Sequence, residues 1–176
     1  MGVIHQPKNL ARNENRMNEA PTLYRTAAKP EWIDEYGHMN MAYYPLVCDH
    51  ATYAFWEQMN EPLNLDERGG AEYAVVESHV RYLRELRRDD RLRVTTQLLG
   101  ADHKRFRLFH TLYQADEGYV AATNEIMALG FDLEGRRLIS FKESVRARLA
   151  DTLAEHAAIG TPEHAGRGIA MPAPRA

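Results

Sequence analysis

Nine residues early in the chain, Trp32-Ile-Asp-Glu-Tyr-Gly-His-Met-Asn40, bring together an acid, a glycine, a histidine and an asparagine. They stand directly before the only long apolar helical pattern in the first half of the chain. A carboxylate beside a helix N-terminus has chemical uses. The first turn offers N–H groups without intrahelical acceptors and a positive potential that steadies an oxyanion, while the carboxylate serves as base or nucleophile. Each residue also has a structural use. Asp34 and Asn40 are types that close turns and cap helices. Gly37 permits a tight turn or a close approach to the backbone, and His38 can be a loop histidine bonded to the main chain. A second pair, Glu77 and His79, stands two residues apart on one face of a strand pattern, where it either lines a site or faces solvent. No H-E-x-x-H spacing joins His79, His103 and His110, and the single cysteine, Cys48, forms no cluster, so no metal is expected. No glycine-rich phosphate loop follows a strand, so no nucleotide cofactor is expected.

The elements that must position these groups are read from periodicity. Residues 1–20, rich in Asn, Arg, Glu and Gln, have little to bury and are expected to form a mobile arm. Thr22 to Ile33 reads as a strand, with Pro30 marking a bend or an edge. From about Met41 to Met59, Tyr44, Val47, Cys48, Ala51, Ala54 and Phe55 recur at three- and four-residue spacing. This predicts an amphipathic helix capped by Asn40, with Pro45 tightening or kinking its first turn. After Gly69-Gly70, four stretches read as strands: Glu72 to Leu86, Arg91 to Leu99, Arg105 to Tyr113 and Tyr119 to Phe131. In the first of them Ala74, Val76, Ser78, Val80 and Tyr82 share one face, and Glu77, His79 and Arg81 share the other. The polar links at Arg88–Asp90, Asp102-His103 and Asp116–Gly118 have hairpin lengths, so the sheet is expected to be antiparallel. Val145, Leu149 and Leu153 mark a last helix over 142–156, and the Pro/Gly/Ala-rich stretch 159–176 is expected to be disordered. One long helix facing five strands makes a two-layer α+β domain over residues 21–158. A single sheet with an exposed edge or face finds an economical partner in a second copy of itself.

Composition narrows the function. A chain of 176 residues suits one domain. The formal net charge of −3 gives no sign of nucleic-acid binding. No apolar run approaches the length of a membrane span, and the polar N-terminus carries no secretory apolar segment. One cysteine excludes an intrachain disulfide and fits a reducing cytoplasm.

Asp34-x-x-Gly37-His38-x-Asn40 leads into a helix bearing Tyr44. Val75-Val76-Glu77, Tyr82-Leu83-Arg84 and a Lys104-Arg105…Phe109-His110…Leu112 strand follow. On these residues, over about Thr22 to Lys142, the chain resembles the hotdog-fold acyl-CoA thioesterases of the 4-hydroxybenzoyl-CoA thioesterase type. Within them it looks most like the thioesterases of carnitine catabolism, free-standing or fused to carnitine dehydrogenase, which release glycine betaine from betainyl-CoA. The dehydratases of the same fold place their acid differently around Gly-His, so the order here favours hydrolysis.

The resemblance implies a long central helix wrapped by a five-stranded antiparallel sheet, with a short C-terminal helix. It implies a homodimer or dimer of dimers, and an acyl-CoA substrate whose CoA is part of the substrate rather than a cofactor. Asp34 is then the catalytic carboxylate, attacking the carbonyl to form an anhydride or deprotonating a water. The backbone N–H of Met41, seven residues on, is the oxyanion donor, and Gly37, His38 and Asn40 complete the loop. His38 would bind, orient or help activate water, and Asn40 would cap the helix or touch substrate. Trp32, Tyr36, Tyr43 and Tyr44 are the first candidates for the acyl pocket, with Tyr53, Trp56 and Tyr73 behind them. A trimethylammonium is drawn to such ring faces by about 0.5–2 kcal/mol each, although large aromatics on a helix stripe usually pack the core. The arginines between Arg81 and Arg93, with Lys104, Arg105 and Arg107, either hold CoA phosphates or are solvated strand ends balanced by Glu85, Asp89 and Asp90. The other reading is a hotdog module without catalysis that binds an acyl thioester or serves assembly.

Overall fold

The computed structural model describes residues 19–171. Most of the expected arm, residues 1–18, and the end of the expected tail, residues 172–176, lie outside them. Strand β1 (Thr22–Ala27) leads through a 3₁₀ turn (Pro30–Trp32) and a loop into the long helix α1 (Tyr43–Asn60). A short helix α2 (Leu65–Arg68) precedes strands β2 (Ala71–Tyr82), β3 (Arg91–Ala101), β4 (Arg105–Gln114) and β5 (Val120–Asp132). A two-residue strand β6 (Arg137–Leu138) and helix α3 (Glu143–Ala157) follow. The strands form one antiparallel sheet in the order β1-β3-β4-β5-β2, with β6 beside β5. Its one concave layer around α1 is the hotdog α+β architecture expected from the sequence.

Local chemistry accounts for the differences. Pro30 fixes its φ and lacks an N–H, so β1 stops at Ala27 and the chain turns, where the sequence pattern extended a strand to Ile33. Pro45 is the third residue of α1, where its missing N–H has no intrahelical acceptor to lose. Helix α2, absent from the expected elements, is closed by a reciprocal cap between Asn64 and Glu67 and ended by Gly69 at φ +60°.

The expected alternation along β2 is corrected by a bulge between Val75 and Glu77. Val75 pairs with Ala128 and Ser78 with Ile126, so Val75 takes the helix-facing side with Ser78, Val80 and Tyr82. Ala74 falls on the opposite side.

The core has two apolar clusters along α1. Tyr44, Val47, Cys48 and Ala51 meet Leu86, Leu92, Val94, Leu112 and Ala122. Phe55, Trp56 and Met59 meet Leu98, Phe106, Leu108, Ile126 and, from α3, Val145 and Leu149. Between them runs a buried polar seam, in which His110 places Nδ1 2.9 Å from the Thr96 hydroxyl and Nε2 3.0 Å from the Thr52 hydroxyl. Burial pushes the His110 imidazole down to about 3. Cys48 is buried beside the seam, and the same desolvation pushes its thiol up to about 12.

Helix α3 is tied to the sheet by the Leu98 N–H, which donates to His156 Nδ1 at 2.8 Å. Gln97 Nε2 donates to the carbonyls of His156 and Gly160. The Gly166 N–H donates to Glu125, which also pairs with Arg107. The first part of the expected disordered tail is therefore hydrogen-bonded to the outer face of the sheet. No helix among the described residues is long and apolar enough to cross a membrane.

Candidate active site

The loop between β1 and α1 is a small hairpin. Ile33 and Met39 form a bridge, the Asn40 N–H donates to Trp32 O at 2.8 Å, and the Asp34 N–H donates to His38 O at 2.9 Å. At its tip the Gly37 N–H returns to Asp34 O, and Gly37 sits at φ +82°, a left-handed conformation that favours glycine. The Asp34 side chain closes the inside of this turn. Its Oδ1 accepts the N–H groups of Tyr36 and His38 at 2.9 and 3.3 Å. Oδ2 has no hydrogen-bond partner among the described residues. One oxygen thus holds the carboxylate in place and the other remains available.

Asn40 closes the turn that leads into α1, with Oδ1 accepting the Ala42 N–H at 3.0 Å and its carbonyl accepting that of Tyr43, while the helix itself starts at Tyr43, two residues later than expected, with Ala42 rather than Asn40 at its cap position. The Met41 N–H between these amides has no acceptor among the described residues. Its carbonyl accepts from the Tyr82 hydroxyl at the end of β2. The hairpin therefore delivers an anchored carboxylate and an unused backbone donor from one continuous stretch, next to the positive end of the 18-residue helix α1.

The segment after β2 braces this loop. The Met39 N–H donates to Leu86 O at 2.7 Å, the Leu86 N–H donates to the Tyr44 hydroxyl at 3.1 Å, and His38 Nε2 lies 3.1 Å from Glu85. Burial raises the Tyr44 phenol above its ordinary range, with the Leu86 bond opposing the shift. Glu85, Tyr82 and Leu86 were not singled out as loop partners in the sequence, since their pairing depends on contacts more than 40 positions apart.

The other expected residues separate. Trp32 and Tyr43 stack with centroids 5.5 Å apart at the loop, and Lys29 Nζ stands 5.2 Å from the Trp32 ring. Tyr36 projects outward, 76% exposed. Tyr44 is buried and edge-on to Tyr82. Glu77 and His79 pair with Met127 and Glu125 on the sheet face opposite α1, so the structure does not bring them to the Asp34 loop. They line a separate cleft with Arg107 and Arg167. Of the arginine run, Arg84 and Arg87 border an open cleft with Glu85 and Tyr119, beside the His38 contact, and the Arg84 guanidinium lies 3.8 Å above the Tyr119 ring. Among the described residues no three His, Cys, Asp or Glu side chains are grouped as metal ligands.

Comparison with known proteins adds an independent line. Residues 28–149 match the family model of the thioesterase-like superfamily. A betainyl-CoA thioesterase of Pseudomonas aeruginosa is 35% identical over 156 residues, covering 89% of this chain and 98% of that protein. An L-carnitine dehydrogenase/betainyl-CoA thioesterase of Ruegeria pomeroyi is 32% identical over 87% of this chain, which spans 31% of that longer protein. Among solved structures, a Staphylococcus aureus protein in complex with CoA superposes with a TM-score of 0.77 at 30% identity, over 88% of this chain and 98% of that one.

Proposed function

This chain belongs to the thioesterase-like superfamily and is a thioester hydrolase, and we propose that its substrate is betainyl-CoA, cleaved to glycine betaine and CoA. The observation that carries the chemistry is that one continuous stretch holds an Asp34 carboxylate with one anchored and one open oxygen and a Met41 N–H with no acceptor among the described residues. The thioester oxygen would accept from Met41, whose fixed dipole meets the negative charge that develops as the carbonyl is attacked. Asp34 would then take a proton from the attacking water, or attack the carbonyl itself to give an anhydride that water opens. In both routes the C–S bond breaks, CoA leaves as the thiol and the acyl group as its carboxylate. His38, held by Glu85, would orient the water or the leaving group. Neither route needs a cofactor beyond the CoA of the substrate.

Support for the acyl group comes from the P. aeruginosa relative, which matches nearly end to end. Arg84 and Arg87, which border the open cleft beside the loop, would meet the CoA phosphates. We further propose that two copies meet along β2, one of the two edge strands. Val75 and Val76 are exposed on it, and Leu46 and Tyr53 are exposed on the neighbouring helix. The proposed setting is the cytoplasm.

Thiol release from a panel of betainyl-, butyryl-, benzoyl- and long-chain acyl-CoA tests the substrate, with betainyl-CoA expected to give the highest kcat/KM. A long-chain preference overturns the substrate assignment, and no turnover on any member favours a binding module. Light scattering should give a dimer or tetramer.

A further inference from the structure

A second carboxylate, Asp49, borders a cleft further along α1. Between α1 and the sheet lies a cleft of about 310 Å³ bordered by Pro45, Asp49, Thr52, Val75, Ser78 and Asn124. Its floor is polar. The Ser78 hydroxyl donates to Asn124 Oδ1 at 2.8 Å, and Thr52 belongs to the buried His110 seam. Asp49 makes no hydrogen bond or ion pair among the described residues. Its surroundings are otherwise apolar at the rim, with Leu46, Tyr53 and Val75 exposed around it.

The position relative to the loop is the second observation. Asp49 follows Met41 by eight positions along the helical path, a rise of about 12 Å. A helical side chain leans back toward the N-terminus, over the turn that precedes it. The Asp49 side chain therefore leans toward Pro45, with which it borders the cleft, on the side of α1 that leads back to the loop. A thioester carbonyl seated at Met41 would extend its short acyl group along this side of α1. An acid in an apolar rim becomes costly once the rim is covered, unless a positive charge arrives with the cover.

We propose that Asp49 is the residue that selects a cationic acyl group, as the counter-charge of its quaternary ammonium in the α1–β2 cleft. The inference rests on the betainyl-CoA reading and adds the residue that discriminates charge from shape. Asp34 makes or breaks the bond, whereas Asp49 decides which acyl group is held.

The test compares betainyl-CoA with 3,3-dimethylbutyryl-CoA, in which a neutral tert-butyl group replaces the trimethylammonium at nearly equal size. Wild-type protein should favour the cationic thioester. In Asp49→Asn the ratio of the two kcat/KM values should fall roughly 10- to 100-fold, through KM more than kcat, as a desolvated charge partner is lost. Asp49→Glu should recover part of the preference, and light scattering should show the same oligomer in all three proteins. An unchanged ratio in Asp49→Asn, with wild-type preference intact, overturns the role of Asp49 and leaves the substrate reading standing. Dissociation of the oligomer in Asp49→Asn also overturns it, assigning the carboxylate to the subunit contact. A wild-type preference for the neutral thioester removes the substrate reading and this inference together.

Discussion

The Thr52 hydroxyl lies 3.0 Å from His110 Nε2, joining the middle of α1 to the middle of the sheet where the two apolar clusters meet. With Thr96 on the other ring nitrogen, the neutral imidazole has a partner for its one donor and its one acceptor.

That arrangement predicts a specific acid lability. The folded-state His110 is pushed down to about 3, while the unfolded chain titrates near the ordinary 6.5. Between these values the unfolded state binds the extra proton, so stability is complete above about pH 6.5 and declines as pH falls toward about 3. The contribution to the slope is about 1.4 kcal/mol per pH unit. His156, also lowered by burial, acts in the same direction. Urea unfolding from pH 7 to pH 4 should show a steeper loss in wild type than in His110→Gln, and Thr52→Val should cost about 1–3 kcal/mol at pH 7 by orphaning one ring nitrogen.

Asp34→Asn separates the two oxygens of that side chain. The amide oxygen can still accept from Tyr36 and His38, so the hairpin should persist, with a thermal midpoint close to wild type. Catalysis should drop roughly 10²- to 10⁴-fold in kcat, the usual contribution of a positioned base. Near-full turnover in thiol release would show that another group does the work.

Gly37→Ala isolates a backbone effect. Beyond its chain neighbours, no atom of the described residues lies within 4 Å of the added Cβ, so the cost comes from φ +82°, about 1–2 kcal/mol. The loss should appear as a lower denaturant midpoint and as reduced kcat, because the same turn sets Asp34. Gly37→Asn, which tolerates the left-handed region, should be milder on both measures.

Arg68→Met should be among the more destabilising single changes. The side chain is 2% exposed and bonds to both Glu57 oxygens, at 2.7 and 2.9 Å, with Glu72 3.4 Å away. Glu72 is further used by Trp56 Nε1 at 2.6 Å. Removing the guanidinium strands these carboxylates, at about 3 kcal/mol, the low end for such pairs because Glu57 is partly solvated. The Arg68 hydrogen bond lowers the Glu57 carboxyl below its ordinary 4.5. Its share of the stability is therefore present above that value and lost as pH falls further, and the difference between variant and wild type in urea should narrow at pH 3.

Much of this was legible in the sequence because it is local. The turn that sets Asp34 is closed by bonds among residues 32–43, although the segment after β2 braces it from outside, and the apolar stripe from Tyr44 to Phe55 needs only helical periodicity. The errors arose where one residue alters everything after it. The bulge beside Val76 leaves the alternation of β2 looking regular while moving Val75 to the inner face. Glu77 and His79 do lie on the face opposite α1, as their alternation implied, and their separation from the loop follows from pairing with β5 rather than from their own neighbours. The His110 seam joins residues 14 and 58 positions apart. Its only local trace was a threonine within an apolar helix stripe and a histidine in an apolar strand.

The burial of Cys48 makes the protein silent to the reagent that follows its reaction. The chain has one thiol, fully enclosed beneath α1 and pushed up to about 12, so almost none of it is present as the thiolate that attacks a disulfide dye. In native buffer the dye should register no protein sulfur, and in denaturant one equivalent per chain. Colour in the assay then counts released CoA alone, even when enzyme and substrate are mixed at equal concentration to watch a single turnover.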